Sequence, residues 1–493
     1  MLRFRDNLVN NPNDRHPALD AGSRYASSVA GFSHRSTHKS GDDSIFTIFT
    51  LFLLTFFLAS PSLAVPLIRD AEIEHTLRTY ADPVFKAAGV NPSSVKLFIV
   101  QDDSLNAYVA GGQNMFIHTG LIMATPTPDV LIGVMAHETG HIAGGHLARG
   151  AEQLKNAEIG TVLTFVLGAA AAVASQKPEA AAAIITGGQS GVARNFLSYT
   201  RANEQSADQS ALTSLDKLGI SADGMVKMFE LLRRNERKQY GSPDPYMLTH
   251  PLTNDRIEFV REHVSTSQIP SGQYPKSYLP LHERMVAKLY GFIQSPEKTL
   301  QKYPVSDKSV AGRLARAVAY YKMPDTTHAL MEMNSLIDET PNDPFFHELK
   351  GQILFENGKV GAALGEYKTA AKLLPNSALI LADLGKVEIA QALPSALSSA
   401  IAHLEKSVSL DSSNAGAWRL LATAYGKANN LPMSHLALAE EASLNGDTKT
   451  ALQMAGLAIE TLKIGTPARQ RAEDIKNHAK EVEKENKEND SPF

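Results

Sequence analysis

The chain has no cysteine among its 493 residues, which excludes disulfides and thiolate metal ligands. It has no basic excess either. Its 48 lysines and arginines against 52 acidic residues leave a net charge of −4, too little for a nucleic-acid footprint. It also lacks an apolar run of about twenty residues, the length that spans a bilayer. The run Ile45 to Ala59 stops short, ahead of Pro61 and the small-residue pattern Ser62-Leu63-Ala64. That arrangement suits a signal-peptide core cleaved after Ala64, with the mature chain outside the cytoplasm. Asp42 and Asp43 stand where lysine or arginine is usual, so residues 1–43 read as a mis-assigned start or a disordered extension, and a retained N-terminal anchor is the alternative.

Length alone predicts two or three domains. The most informative stretch is His137-Glu138-Thr139-Gly140-His141. Residues four apart share a helix face, so His137 and His141 can bind one Zn²⁺ while Glu138 serves as general base. The apolar run Val130 to Ala136 predicts a mostly buried helix around the motif, capped near Thr127 or Asp129. A catalytic zinc usually takes three protein ligands. Glu204 is the candidate for the third, and Asp208, one turn on, would orient a ligand histidine or hydrogen-bond the reacting centre.

Together with Asn106-Ala107-Tyr108, Gly111-Gly112, Met115 to Leu121 and Arg201 to Asp208, the motif resembles the gluzincin peptidases of the Ste/HtpX/Oma type, over roughly Asp70 to Val264. The resemblance implies one zinc per chain on His137, His141 and Glu204, with Glu138 and Asp208 as the catalytic carboxylates. Ala211 departs from the pattern, where relatives often have glycine. Members with C-terminal repeats have a histidine after the third-ligand helix that can reach the zinc. Here that position is His250, in Thr249-His250-Pro251, read as a fourth ligand that shuts the resting site or as a donor to the oxyanion. For this type the resemblance implies polypeptide partners, misassembled outer-membrane proteins and their assembly machinery, in the periplasm of a Gram-negative bacterium.

Leu97-Phe98-Ile99-Val100 and Met115-Phe116-Ile117 read as strands with Gly111-Gly112 turning the chain between them, either an edge strand beside the zinc open to substrate or a plain β-hairpin packed on the motif helix. The Ala- and Gly-rich stretch 159–185 reads as a mobile or membrane-facing flap, in peripheral contact with the membrane, or as a buried helical pair.

From Ala329, Met333 and Pro341 a period of 34 leads to Ala363, Tyr367 and Pro375, and Gly351 recurs as Gly385. This fits tetratricopeptide repeats, where small residues let paired helices approach. The register then slips by three, from Ala363 to Ala400. About four repeats are expected, stacked as a solenoid with a concave binding surface.

The expected organisation is an N-terminal extension and signal peptide (1–64), a zinc metallopeptidase domain (65–264), a linker and docking helix (265–306), repeats (307–465) and a charged tail fraying into solvent (466–493). The fold class is mainly α, a zincin-like α+β domain with a small sheet followed by an all-α solenoid. The expected function is a zinc endopeptidase, for which the resemblance implies chaperone-like repeats and a place in outer-membrane protein quality control. The alternative is a repeat-based assembly factor whose cleft is normally shut.

Overall fold

A computed structural model describes residues 3–4, 66–146, 191–236 and 250–489. The expected signal segment and the 159–185 stretch lie outside them. Strands β1 (Arg3–Phe4) and β2 (Leu67–Arg69) lead into helix α1 (Ala71–Ala87), capped by the Asp70 carboxylate on the amides of Glu72 and Ile73. Then come β3 (Lys96–Val100), β4 (Ala107–Ala110) and β5 (Asn114–His118). The sheet order is β1-β2-β3-β5-β4.

The expected hairpin is corrected here. β3 and β5 pair in parallel, Val100 opposite His118, and it is β4 that turns back on β5 through Gly111-Gly112. The short Ala107–Ala110 segment was not legible as a strand because two alanines carry little β-propensity. Both turn glycines have positive φ, which suits a tight reversal. Among the described residues β4 is one of the two edge strands.

Helix α2 (Thr119–Ala124) leads to α3 (Pro128–Ala143), which starts after Thr127 with Pro128 at its first position. Every side chain from Pro128 to His141 is buried. Val130, Leu131, Ile132, Val134 and Met135 each gain about 1.5–3 kcal/mol from leaving water, enough to hold the polar motif inside. Helix α4 (Gly191–Leu218) crosses α3 where Gly140 sits: a Cβ there would lie 2.6 Å from the Ala207 carbonyl oxygen. Its buried stripe runs Glu204, Ala207, Asp208, Ala211, Leu212, Leu215, so the two acids extend the core face toward the motif. Helices α5 (Asp223–Glu236) and α6 (Asn254–Thr266) pack beside them.

Helix α7 (Tyr278–Ile293) packs on α1 and α2. Tyr80 donates its hydroxyl to the Tyr278 carbonyl at 3.0 Å, and His282 Nε2 meets the Thr125 carbonyl at 2.8 Å. After α8 (Pro296–Lys302), helices pair antiparallel: α9 (Val310–Lys322) with α10 (Thr326–Glu339), α11 (Pro344–Glu356) with α12 (Val360–Leu373), α13 (Ala378–Ala390) with α14 (Pro394–Leu410), and α15 (Ala415–Lys427) with α16 (Leu431–Leu444). The small residues sit at the crossings, since a Cβ at Gly351 would meet the Tyr367 ring at 2.9 Å and one at Gly385 would meet Leu404 at 2.6 Å. The three-residue slip is a longer α14, 17 residues against 14 in α12, with Ala400 and Leu404 taking the places of Ala363 and Tyr367.

Helix α17 (Thr448–Thr461) is followed by α18 (Pro467–Asn489). The charged tail was expected to fray, yet it is helical, and Ala472, Ile475 and Ala479 are buried against α16 and α17. Their i, i+3, i+7 spacing forms one narrow apolar stripe in an otherwise charged helix. One continuous apolar cluster runs from Ile68 and Ile73 through α3, α4 and α7 to Met333 and Ile353. Among the described residues no helix is long and apolar enough to cross a membrane.

Candidate metal centre

Helix α3 supplies His137, Glu138 and His141, α4 supplies Glu204 and Asp208, and the bend before α6 supplies His250. All six are buried. His137, His141, Glu204 and His250 each turn one donor atom toward the others, all within 4.8 Å. The Nε2 atoms of His137 and His141 are 3.1 Å apart. Each lies 3.3 Å from a Glu204 oxygen, and His250 Nδ1 lies 3.1 Å from Glu204 Oε1.

Asp208 does not join this set. Its Oδ1 is 2.8 Å from His137 Nδ1, so a carboxylate that can only accept holds the proton on Nδ1 and leaves Nε2 as the ring nitrogen facing inward. Of the two roles considered for Asp208, the geometry is that of orienting a ligand histidine.

The donor set fits a metal ion. Tetrahedral ligands at about 2.0–2.1 Å from zinc stand roughly 3.3 Å from one another, close to the separations here. Glu138 supplies a second sign: neither carboxylate oxygen has a hydrogen-bond partner although both are buried, and Oε1 is 3.6 Å from His250 Nε2. Burial pushes its carboxyl up to about 7, where it can both take and return a proton. Burial works against charge on Glu204 as well, but hydrogen bonds with His137, His141 and His250 hold that carboxyl well below the usual range. Burial lowers the pKa of His141 and His250. His137 is also opposed by burial, yet Asp208 and Glu204 raise it to about 10.

Sequence reasoning missed Arg256. This buried side chain grips Asp208 with Nε at 2.7 Å and Nη2 at 2.9 Å, and its Nη1 is 2.7 Å from Glu204 Oε2. Its plane lies over the Phe229 ring at 5.6 Å. A faint signal existed. Arg256 falls in the first turn of α6, against the positive end of the helix dipole, and such a placement calls for an anionic partner. His146 was also missed; it is buried with Nδ1 3.0 Å from His141 Nδ1.

With this geometry in view, the sequence profile of Peptidase family M48 matches residues 68–264. Those residues are a family M48 peptidase domain. The M48 match makes the chain a metalloendopeptidase, and it encloses all six expected site residues. A beta-barrel assembly-enhancing protease of Yersinia pestis is 24% identical over 420 residues, covering 83% of this chain and 84% of its own. A Vibrio cholerae protein provisionally named as such a protease is 27% identical over 294 residues, 57% of this chain, and the match spans 58% of that relative's length. Metalloprotease YcaL of Escherichia coli K12 is 26% identical over 189 residues, 38% of this chain and 69% of YcaL. A crystal structure of a thermophilic TPR protein of Thermus thermophilus aligns with 34% of this chain and 98% of its own at 19% identity, with a TM-score of 0.23.

Proposed function

We propose that the chain is a zinc endopeptidase of the Gram-negative periplasm, whose repeats present outer-membrane proteins to the M48 site. The observation that carries the chemistry is the convergence of His137, His141 and Glu204 beside a buried Glu138 carboxylate with no hydrogen-bond partner. Those three residues would hold the ion. Zinc bound there would act as a Lewis acid, polarising the scissile carbonyl and making water a stronger nucleophile. Glu138, poised near 7, takes the proton from the attacking water at a carboxylate oxygen and returns it to the departing amine nitrogen. Asp208, clamped by Arg256, keeps the His137 lone pair turned inward. The open edge of β4 binds an extended polypeptide through main-chain hydrogen bonds.

His250 gates the resting enzyme as a fourth ligand, a reading supported by its 3.1 Å approach to Glu204. The substrate and compartment rest on the relatives named as beta-barrel assembly-enhancing proteases and on the signal-peptide pattern before Val65. A second reading, a repeat-based assembly factor with a shut cleft, draws on the same four-donor set.

Metal analysis with a proteolysis assay tests both. Wild type should carry one zinc per chain, His137→Ala should carry none and be inactive, and His250→Ala should keep zinc and cleave faster. Near-stoichiometric zinc in His137→Ala would overturn the ligand assignment. Slower turnover with unchanged zinc in His250→Ala would make His250 an oxyanion donor instead of a gate.

A further inference from the structure

Helix α3 ends at Gly144, whose φ of −70° is still helical, and the chain then reverses through Gly145 at φ +61°. That reversal folds the next residue, His146, back along the helix. Its ring stands edge-on to His141, with centroids 5.0 Å apart and planes at 80°. The two Nδ1 atoms are 3.0 Å apart, inside a buried environment. Gly144 makes room for this: the three nearest atoms that a Cβ there would meet all belong to the His146 ring, the closest, Nε2, at 2.3 Å.

We infer that His146 is a positioning residue that fixes the tautomer and orientation of His141 for metal binding. This rests on the metal-site reading above. Two ring nitrogens 3.0 Å apart share one proton, so one donates and the other accepts. His141 Nε2 faces His137 Nε2 and Glu204 and must keep its lone pair for the ion, so the shared proton sits on His141 Nδ1. His146 Nδ1 accepts it. His146 is not itself a ligand, because it meets His141 on the ring nitrogen that faces away from the four converging donors. The two motif histidines are therefore backed differently: His137 by the carboxylate of Asp208, His141 by an imidazole from its own helix end. Ligand histidines are held this way because rotation of the ring or a switch of tautomer removes the lone pair from the ion.

The test is zinc affinity by chelator competition on the full chain, with the visible spectrum of the Co²⁺ form as a second readout. His146→Leu removes the acceptor and should weaken zinc about 10- to 100-fold, with altered cobalt bands. His146→Asn, whose amide oxygen falls near the lost Nδ1, should recover most of that affinity. Gly144→Ala suits the local backbone and its Cβ would meet the His146 ring first, so it should reproduce the loss seen with His146→Leu, and the two together should cost no more than either alone. Unchanged zinc affinity in His146→Leu, or His146→Asn no better than Leu, would overturn the inference. Should His146→Leu fail to fold, Gly144→Ala decides: wild-type affinity there refutes the role. A wild-type chain that binds no zinc would instead defeat the metal-site reading itself.

Discussion

Among the described residues, the metal centre and a cluster around Lys288 both bury charge, and they are built on opposite plans. Where α7 meets α1 and α11, Lys288 is fully buried, 2.9 Å from Asp70, 3.3 Å from Glu72 and 3.7 Å from Glu348. Arg284 beside it joins Glu72 and Asp343, each at 2.6 Å. Burial opposes the Lys288 charge, but the surrounding carboxylates more than compensate and raise its pKa. Here each cation lies among anions, and the charges are satisfied by one another. In the M48 centre, the Nε2 atoms of His137 and His141 face one another at 3.1 Å, and neither Glu138 oxygen has a hydrogen-bond partner. Two bare imidazole lone pairs that close would repel, so the contact needs a proton or a metal cation between the rings. Burial alone therefore does not mark a functional site; the direction in which the polar atoms point does.

The sharpest way to break this contrast is to neutralise one charge in each group. Glu138→Gln should lower turnover on an unfolded polypeptide by about 10²–10⁴-fold, with zinc content and melting temperature unchanged, because a proton carrier is lost and no ligand is. Zinc loss in that variant would move Glu138 into the ligand set.

Lys288→Met should do the reverse. It leaves Asp70, Glu72 and Glu348 without their shared cation, and removing one partner of a buried charge cluster costs about 3–5 kcal/mol. Denaturant unfolding should show that loss while zinc stoichiometry stays at one. A melting curve like that of wild type would mean the cluster does not stabilise the contact between α7 and α11.

The smallest effect is expected at Arg69, whose guanidinium reaches Glu74 at 2.6 Å and Asp411 at 2.7 Å. Burial pushes the Asp411 carboxyl up, but Arg69 and Ser413 outweigh it and hold the carboxyl below its ordinary 3.8. A depressed folded pKa adds stability that is fully present above pH 3.8 and is lost as pH falls through the lower folded value. Both side chains are partly exposed, so Asp411→Asn should cost about 1 kcal/mol or less at neutral pH. The difference from wild type should shrink on acidification below about pH 4. A difference that grows there would contradict the pairing.

The motif was legible because its chemistry is local. Four residues make one helical turn, so the spacing of His137 to His141 and of Glu204 to Asp208 already places each pair on one face. Arg256 and His146 were not legible: one depends on α6 approaching α4, the other on a reversal at Gly144-Gly145 that turns the chain back on its own helix. The parallel pairing of β3 with β5 was hidden for a similar reason. Runs of four and three apolar residues are too short to tell a parallel neighbour from an antiparallel one.

By itself the sequence determined the periodic and the contiguous: the helical motif, the acid pair, the 34-residue period and the small residues where paired helices cross. Tertiary structure alone decided the convergent. It brought His250 to Glu204, 46 positions away, set Arg256 on Asp208, 48 positions away, and set Lys288 among acids from α1 and α11. Periodicity specifies which face of an element is apolar. Which faces meet depends on how all of them share one core, and only that meeting can place a charge beside its partner.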